Sequence, residues 1–140
     1  MKHKVFFLFI CILLASCFEE SMVYKVEADL SAHVDAFFQQ ASIHGIEISK
    51  ENLVVRKSVN ISPKLGLFSI SDGQRVVEIN AYSVNDLNND YVEAIVFHEL
   101  GHALLNKPHQ DDVKSLMNTN PCLKCYADEK KLYIDQLFSR

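Results

Sequence analysis

The chain has 140 residues, room for one domain built around one core. A hydrophobic share of 49% and a charged share of 23% are those of an ordinary globular protein. The formal net charge of −4 offers no basic patch that would argue for nucleic acid, and neither a repeat of 20–50 residues nor a low-complexity run is present.

In chain order, the first feature is an export signal over residues 1–16. Lys2 and Lys4 form a positive start, and residues 5–15 are almost purely apolar but too short to span a membrane. Leu14-Ala15-Ser16-Cys17 resembles a bacterial lipobox. That resemblance implies cleavage before Cys17 and lipid on its sulfur, giving an exported lipoprotein anchored to a cell membrane. Phe18 rather than Asp follows Cys17, which favours the outer membrane if the cell has two. Without Lys2 and Lys4 the 14 basic residues fall to 12 against 18 acidic ones, a net charge of −6. Such a chain is not drawn to anionic lipid, so the anchor is expected to be covalent. Residues 17–28 read as a tether reaching about 35–40 Å at most, and residues 29–140 as the folded domain.

Residues 29–44 predict a helix: Leu30, Val34, Phe37, Phe38 and Ala41 recur at three-to-four spacing, and Gly45 ends it. His33 and His44 on that helix are expected at the surface rather than as ligands. Three strands are expected next, over 53–61, 65–71 and 74–81. Asp72-Gly73 between the last two is a strong hairpin turn. In the last strand Val77, Ile79 and Ala81 alternate with Glu78 and Asn80, predicting one buried and one wet face. A second helix should run from Asp90 to about Asn106. Asp90 and Glu93 form a capping box, and Pro108 stops the helix. Residues 112–121 read as a loop. Residues 127–138 read as a last helix packing through Leu132, Ile134, Leu137 and Phe138.

The second helix carries His98-Glu99-Leu100-Gly101-His102, an H-E-x-x-H motif. On a helix, His98 and His102 share one face and can chelate one Zn²⁺, while Glu99 stands beside the metal as a general base for water. A catalytic zinc usually has three protein ligands and an open position. His109, just past the helix end, is the first candidate for the third ligand.

Here the chain resembles the metzincin zinc peptidases, whose pattern is H-E-x-x-H-x-x-G-x-x-H followed by a methionine turn. His98-Glu99-Leu100-Gly101-His102-Ala103-Leu104 is similar to the H-E-L-G-H-A-L of matrix metalloproteinases, and Ser115-Leu116-Met117 is similar to their Met-turn. The resemblance implies an α+β, zincin-like domain. It has a mixed β-sheet whose antiparallel edge strand packs on the active-site helix, with helices at both ends. It also implies a zinc metalloendopeptidase with His98, His102 and His109 as ligands, Glu99 as catalytic base and Met117 beneath the metal. The chain departs from the pattern twice. Leu105 replaces the glycine of the turn, and His109 falls eleven rather than ten residues after His98. Asn106, which tolerates left-handed backbone, is the residue expected to turn the chain instead. Glu129, Asp111 and Asp112 remain alternative third ligands.

The strand over 74–81 is expected to form the rim of the cleft and to bind an extended peptide along a free edge. Specificity is expected from residues 118–126. Cys122 and Cys125 lie in that stretch, and three readings stay open for them: a structural disulfide that stiffens the wall, a free or metal-binding pair, or a redox dithiol. The expected partners are a peptide or protein substrate and, through the lipid, a membrane. Two other functions fit the same residues: a non-catalytic zinc-binding lipoprotein, and a zinc amidase acting on cell-wall peptide.

Overall fold

The computed structural model describes residues 22–139, so the export signal, Cys17 and the start of the tether lie outside the described residues. The described chain is α+β, with a four-stranded mixed sheet packed against helices. None of its helices is long and apolar enough to cross a membrane.

Strand β1 (Tyr24–Val26) opens the domain inside the segment expected to be tether. Its three residues pair in parallel with β2 (Leu53–Ser58), an alignment across some thirty residues that no local pattern announces. A 3₁₀ turn (Ala28–Leu30) leads into α1 (Ser31–Ile43), which returns the chain to β2. Next come β3 (Gly66–Ser71) and β4 (Gln74–Asn80), an antiparallel hairpin whose Asp72 and Gly73 both adopt positive φ. The sheet order is β1-β2-β4-β3. β4 is therefore an interior strand, parallel to β2, and the edge beside the second helix belongs to β3. This corrects the expectation that 74–81 forms the rim.

Val77 and Ile79 of β4 are fully buried, as the alternation predicts. Asn80 is buried as well, not wet. The strand ends there, and the Asn80 carboxamide caps the short helix α2 (Ala81–Val84), accepting from the amides of Tyr82 and Ser83. Ala81 thus belongs to a helix rather than to the strand.

Helix α3 (Asn89–Leu105) carries the H-E-x-x-H motif. Its cap is Asn88, whose side chain accepts from the Tyr91 amide, rather than a box closed by Asp90. Asp90 instead pairs with Lys130 at 3.1 Å. From Glu93 to Gly101 every residue is buried, because α1, the sheet and the C-terminal helices enclose α3 from several sides. Phe37 of α1 and Phe97 of α3 meet edge-to-face at 5.2 Å, with Phe138 5.0 Å from Phe37.

The last helix is two: α4 (Leu123–Asp128) and α5 (Lys130–Phe138), broken at Glu129. Tyr133, Ile134, Leu137 and Phe138 face the core, while Leu132 is 47% exposed. Glu93 fastens these pieces to α3. Its carboxylate accepts from the Tyr126 hydroxyl at 2.6 Å, pairs with Lys130 at 2.6 Å and lies 3.9 Å from the ring of His33. His33 is therefore buried, because it faces a charge inside the domain, and is not the surface residue expected. His44 is half-buried, stacked on Phe138 and bonded to Asp135.

Candidate metal centre

The helical period puts His98 and His102 one turn apart on α3, their rings 4.8 Å between centroids. The third imidazole arrives by a change of backbone hand. Asn106 takes φ 53°, ψ 30°, the left-handed conformation that ends α3. Its N–H and that of Lys107 both donate to the Gly101 carbonyl, five and six residues back rather than four. The last turn of α3 is thus wider than an ordinary helical turn and takes up one additional residue. From Asn106 three further residues reach His109, whose ring lies 4.7 Å from that of His102 and 5.3 Å from that of His98. One ring nitrogen from each of the three lies within 4.8 Å of the others, close enough to hold a metal ion. Glu129, Asp111 and Asp112 are not part of this cluster.

Hydrogen bonds fix how the imidazoles point. His98 Nδ1 donates to the Leu116 carbonyl at 2.7 Å, and His102 Nδ1 donates to the Lys107 carbonyl at 2.6 Å. Each ring spends its N–H on a backbone oxygen, so in the neutral tautomers both Nε2 atoms carry bare lone pairs. Those two atoms face each other at 3.2 Å. Burial is the main reason that the pKa of His98 falls to about 4, with repulsion from His102 and His109 adding to it. Burial also lowers that of His102. Two neutral imidazoles with facing lone pairs repel one another unless a cation lies between them. Backbone carbonyls that orient ligand imidazoles are a usual feature of metal sites.

Two close approaches set the floor and roof. A Cβ on Gly101 would lie 2.7 Å from Met117 Sδ, so the glycine of the motif lets Met117 press up beneath α3. Met117 is fully buried, and its amide donates to Ser115 Oγ. On the other side Glu99 lies against β3: a Cβ on Gly66 would stand 2.6 Å from its Cγ and Oε1. Burial raises the pKa of Glu99 to about 7, against the opposing pull of the Phe68 amide and Lys64.

His98, Glu99, His102 and His109 line a cleft of about 690 Å³, with residues 63–68 along one side and residues 119–121 along the other. Leu65, Leu67, Phe68, Ile95 and Pro121 make most of it apolar. The Leu65 carbonyl accepts from the Asn80 amide, so by antiparallel alternation Leu67 and Ser69 also turn their backbone groups to β4. Gly66 and Phe68 turn theirs to the free edge. Asp111 holds the facing wall, accepting from the N–H and hydroxyl of Thr119 at 2.7 and 2.8 Å. Behind that wall Cys122 and Cys125 are joined by a disulfide and line a second cavity of about 340 Å³.

Nothing in the sequence marks Gly66, Lys64, the Phe68 amide or the Leu116 and Lys107 carbonyls as part of the site. Backbone groups carry no residue signature, and Gly66 has no turn pattern around it to draw notice. No family model, no curated protein and no solved structure matches this chain.

Proposed function

We propose that this protein is a zinc-dependent metallopeptidase of metzincin-like build, exported and held at a membrane by lipid on Cys17. The observation that carries the reading is the convergence of three imidazoles beside a buried carboxylate under a free strand edge. Zinc–nitrogen bonds of about 2.0–2.1 Å in a tetrahedron put two ligand nitrogens about 3.3 Å apart. The 3.2 Å between the Nε2 atoms of His98 and His102 fits that value, and three nitrogen donors fit a zinc site that keeps a fourth position open. His98, His102 and His109 would hold the ion. The turn at Asn106 supports the metzincin resemblance too, because the left-handed residue stands three positions before the last histidine, as the family glycine does.

Zinc bound there supplies Lewis acidity, making water a better acid and polarising a carbonyl. The chain does the rest. The free edge of β3 offers the backbone groups of Gly66 and the Phe68 carbonyl to an extended peptide, which adds as a further strand. Glu99, next in sequence to His98 and pressed against Gly66, takes the proton of the attacking water and delivers it to the departing amine. The apolar walls exclude competing water.

The test is zinc content together with peptide hydrolysis in the wild type, Glu99→Ala and His109→Ala. Glu99→Ala should keep one zinc per chain and lose about 10²–10⁴ in rate; His109→Ala should lose the metal. Zinc retained by every protein with no peptide cleaved would favour a non-catalytic zinc-binding lipoprotein. Hydrolysis confined to cell-wall peptides would favour the amidase. Labelled fatty acid incorporated into the wild type but not into Cys17→Ser tests the anchor.

A further inference from the structure

Apart from its histidines, the cleft is lined by one cation and one carboxylate, Lys64 and Glu99. Lys64 stands at the mouth, two residues before Gly66, and lies near enough to act on the Glu99 carboxylate. Its backbone is held on both sides. The Lys64 N–H donates to the Ile61 carbonyl at 2.9 Å, and its own carbonyl accepts from Asn80 Nδ2 at 2.8 Å. Asn80 is 2% exposed and simultaneously caps α2, so the rim from which the lysine projects is anchored in the core. Among the described residues the Lys64 ammonium has no ion-pair partner; Lys25, Lys50, Arg75, Lys107 and Lys114 lack one too, but of these only Lys64 lines the cleft. The remainder of the chain is acidic. A bound dication would add to this local positive charge rather than offset it.

We propose that Lys64 is a specificity residue that selects peptides carrying a carboxylate close to the bond to be cut. This rests on the peptidase reading. A chain laid along the free edge of β3 at Gly66 passes beside the lysine, and a carboxylate there gains an ion pair at the border of an apolar cleft. The carboxylate has two sources: an Asp or Glu side chain within the peptide, or a free C-terminus just beyond the scissile bond. The same lysine draws anionic peptides toward the cleft while the acidic body repels them elsewhere, an effect that salt weakens.

Binding measured without turnover tests this apart from the peptidase reading. The full-length Glu99→Gln protein, loaded with zinc, is titrated with fluorescent alanine–leucine hexapeptides in three forms: C-terminal amide, free C-terminal carboxylate, and amide with one Glu moved along the chain. Carboxylate forms should bind about two- to five-fold more tightly than the neutral amide, as expected of a partly exposed ion pair. Lys64→Gln should bring that ratio to one, and Lys64→Glu should invert it in favour of peptides bearing Lys. Preference for the free terminus alone identifies an end-directed enzyme, and preference for the Glu form identifies an acidic-peptide endopeptidase; both sustain the proposal. Equal affinities, including no measurable binding of either form, overturn it, as does a preference that survives Lys64→Gln. Hydrolysis by the wild type is scored separately, so a protein that binds as expected but cuts nothing overturns only the peptidase reading.

Discussion

Gly66 and Glu99 approach so closely that a single methyl group on the glycine would stand 2.6 Å from the carboxylate Oε1. The edge strand and α3 therefore meet through the absence of a side chain, and the carboxylate is positioned by backbone rather than by a partner residue. Gly66→Ala should move Glu99 and lower hydrolysis at least about tenfold while one metal per chain is retained. Metal analysis beside steady-state rates checks this, and unchanged rates would mean that Glu99 works from another position.

Asn106 bears a second geometric demand. Its left-handed backbone delivers both the Lys107 carbonyl that orients His102 and, three residues on, His109 itself. Asn106→Gly should be tolerated, since glycine adopts positive φ freely. Asn106→Val should cost about 1–2 kcal/mol and weaken metal binding about 10–100-fold. A competitive chelator titration of the three proteins measures the difference.

Beneath the three histidines, Gly101 and Met117 are coupled in the same way. A methyl group at Gly101 meets Met117 Sδ at 2.7 Å and Leu137 Cδ1 at 3.2 Å. Gly101→Ala should cost about 1–3 kcal/mol by overpacking, and Met117→Ala about 2–5 kcal/mol by leaving a cavity. The double variant should lose clearly less than the sum, because each change relieves the other. Urea unfolding of the four proteins gives the coupling; simple additivity would mean that Met117 moves aside freely.

Acid stability should depend on Glu93. Burial alone would raise its pKa, but the nearby His33 ring, the Lys130 ammonium and the Tyr126 hydroxyl outweigh burial and hold it at about 2 against an ordinary 4.5. A depressed carboxyl pKa contributes stability that is complete above pH 4.5 and is lost as pH falls through 2. The full contribution is about 3 kcal/mol. Glu93→Gln should be destabilised by that amount at pH 7, and the gap to wild type should close by about pH 2. Comparing the two proteins cancels the contributions of His98 and Glu99, which both share. A gap constant with pH would mean that the carboxylate charge is not what ties α3 to α4 and α5.

The disulfide closes a short loop behind the wall that faces β3. Replacing Cys122 and Cys125 by serine should cost about 2 kcal/mol and alter which peptides bind more than it alters metal content. Thermal unfolding, metal analysis and the peptide series decide between a wall support and a piece of the metal site, since the latter would lose metal and preference together.

Features that repeat at short range were legible in the residues alone. The period of 3.6 gave away α1 and α3, and with α3 the shared face of His98 and His102. Asp72-Gly73 marked the hairpin because only such residues accept two successive positive φ angles. Asn106 was legible for the same reason.

Tertiary structure alone decided the rest. The three residues of β1 are too few to show a period and become a strand only because β2 supplies hydrogen-bond partners. β4 and β3 exchange the roles of rim and interior because parallel pairing with β2 buries one edge of the hairpin and leaves the other free. His33 and Asn80 read as surface residues, yet both are buried where a distant partner, Glu93 or the Lys64 carbonyl, satisfies them. Lys64, Gly66 and the Phe68 amide join Glu99 across some thirty residues of sequence. Contacts of that kind depend on how packed elements meet, a long-range property that no local pattern of residues encodes.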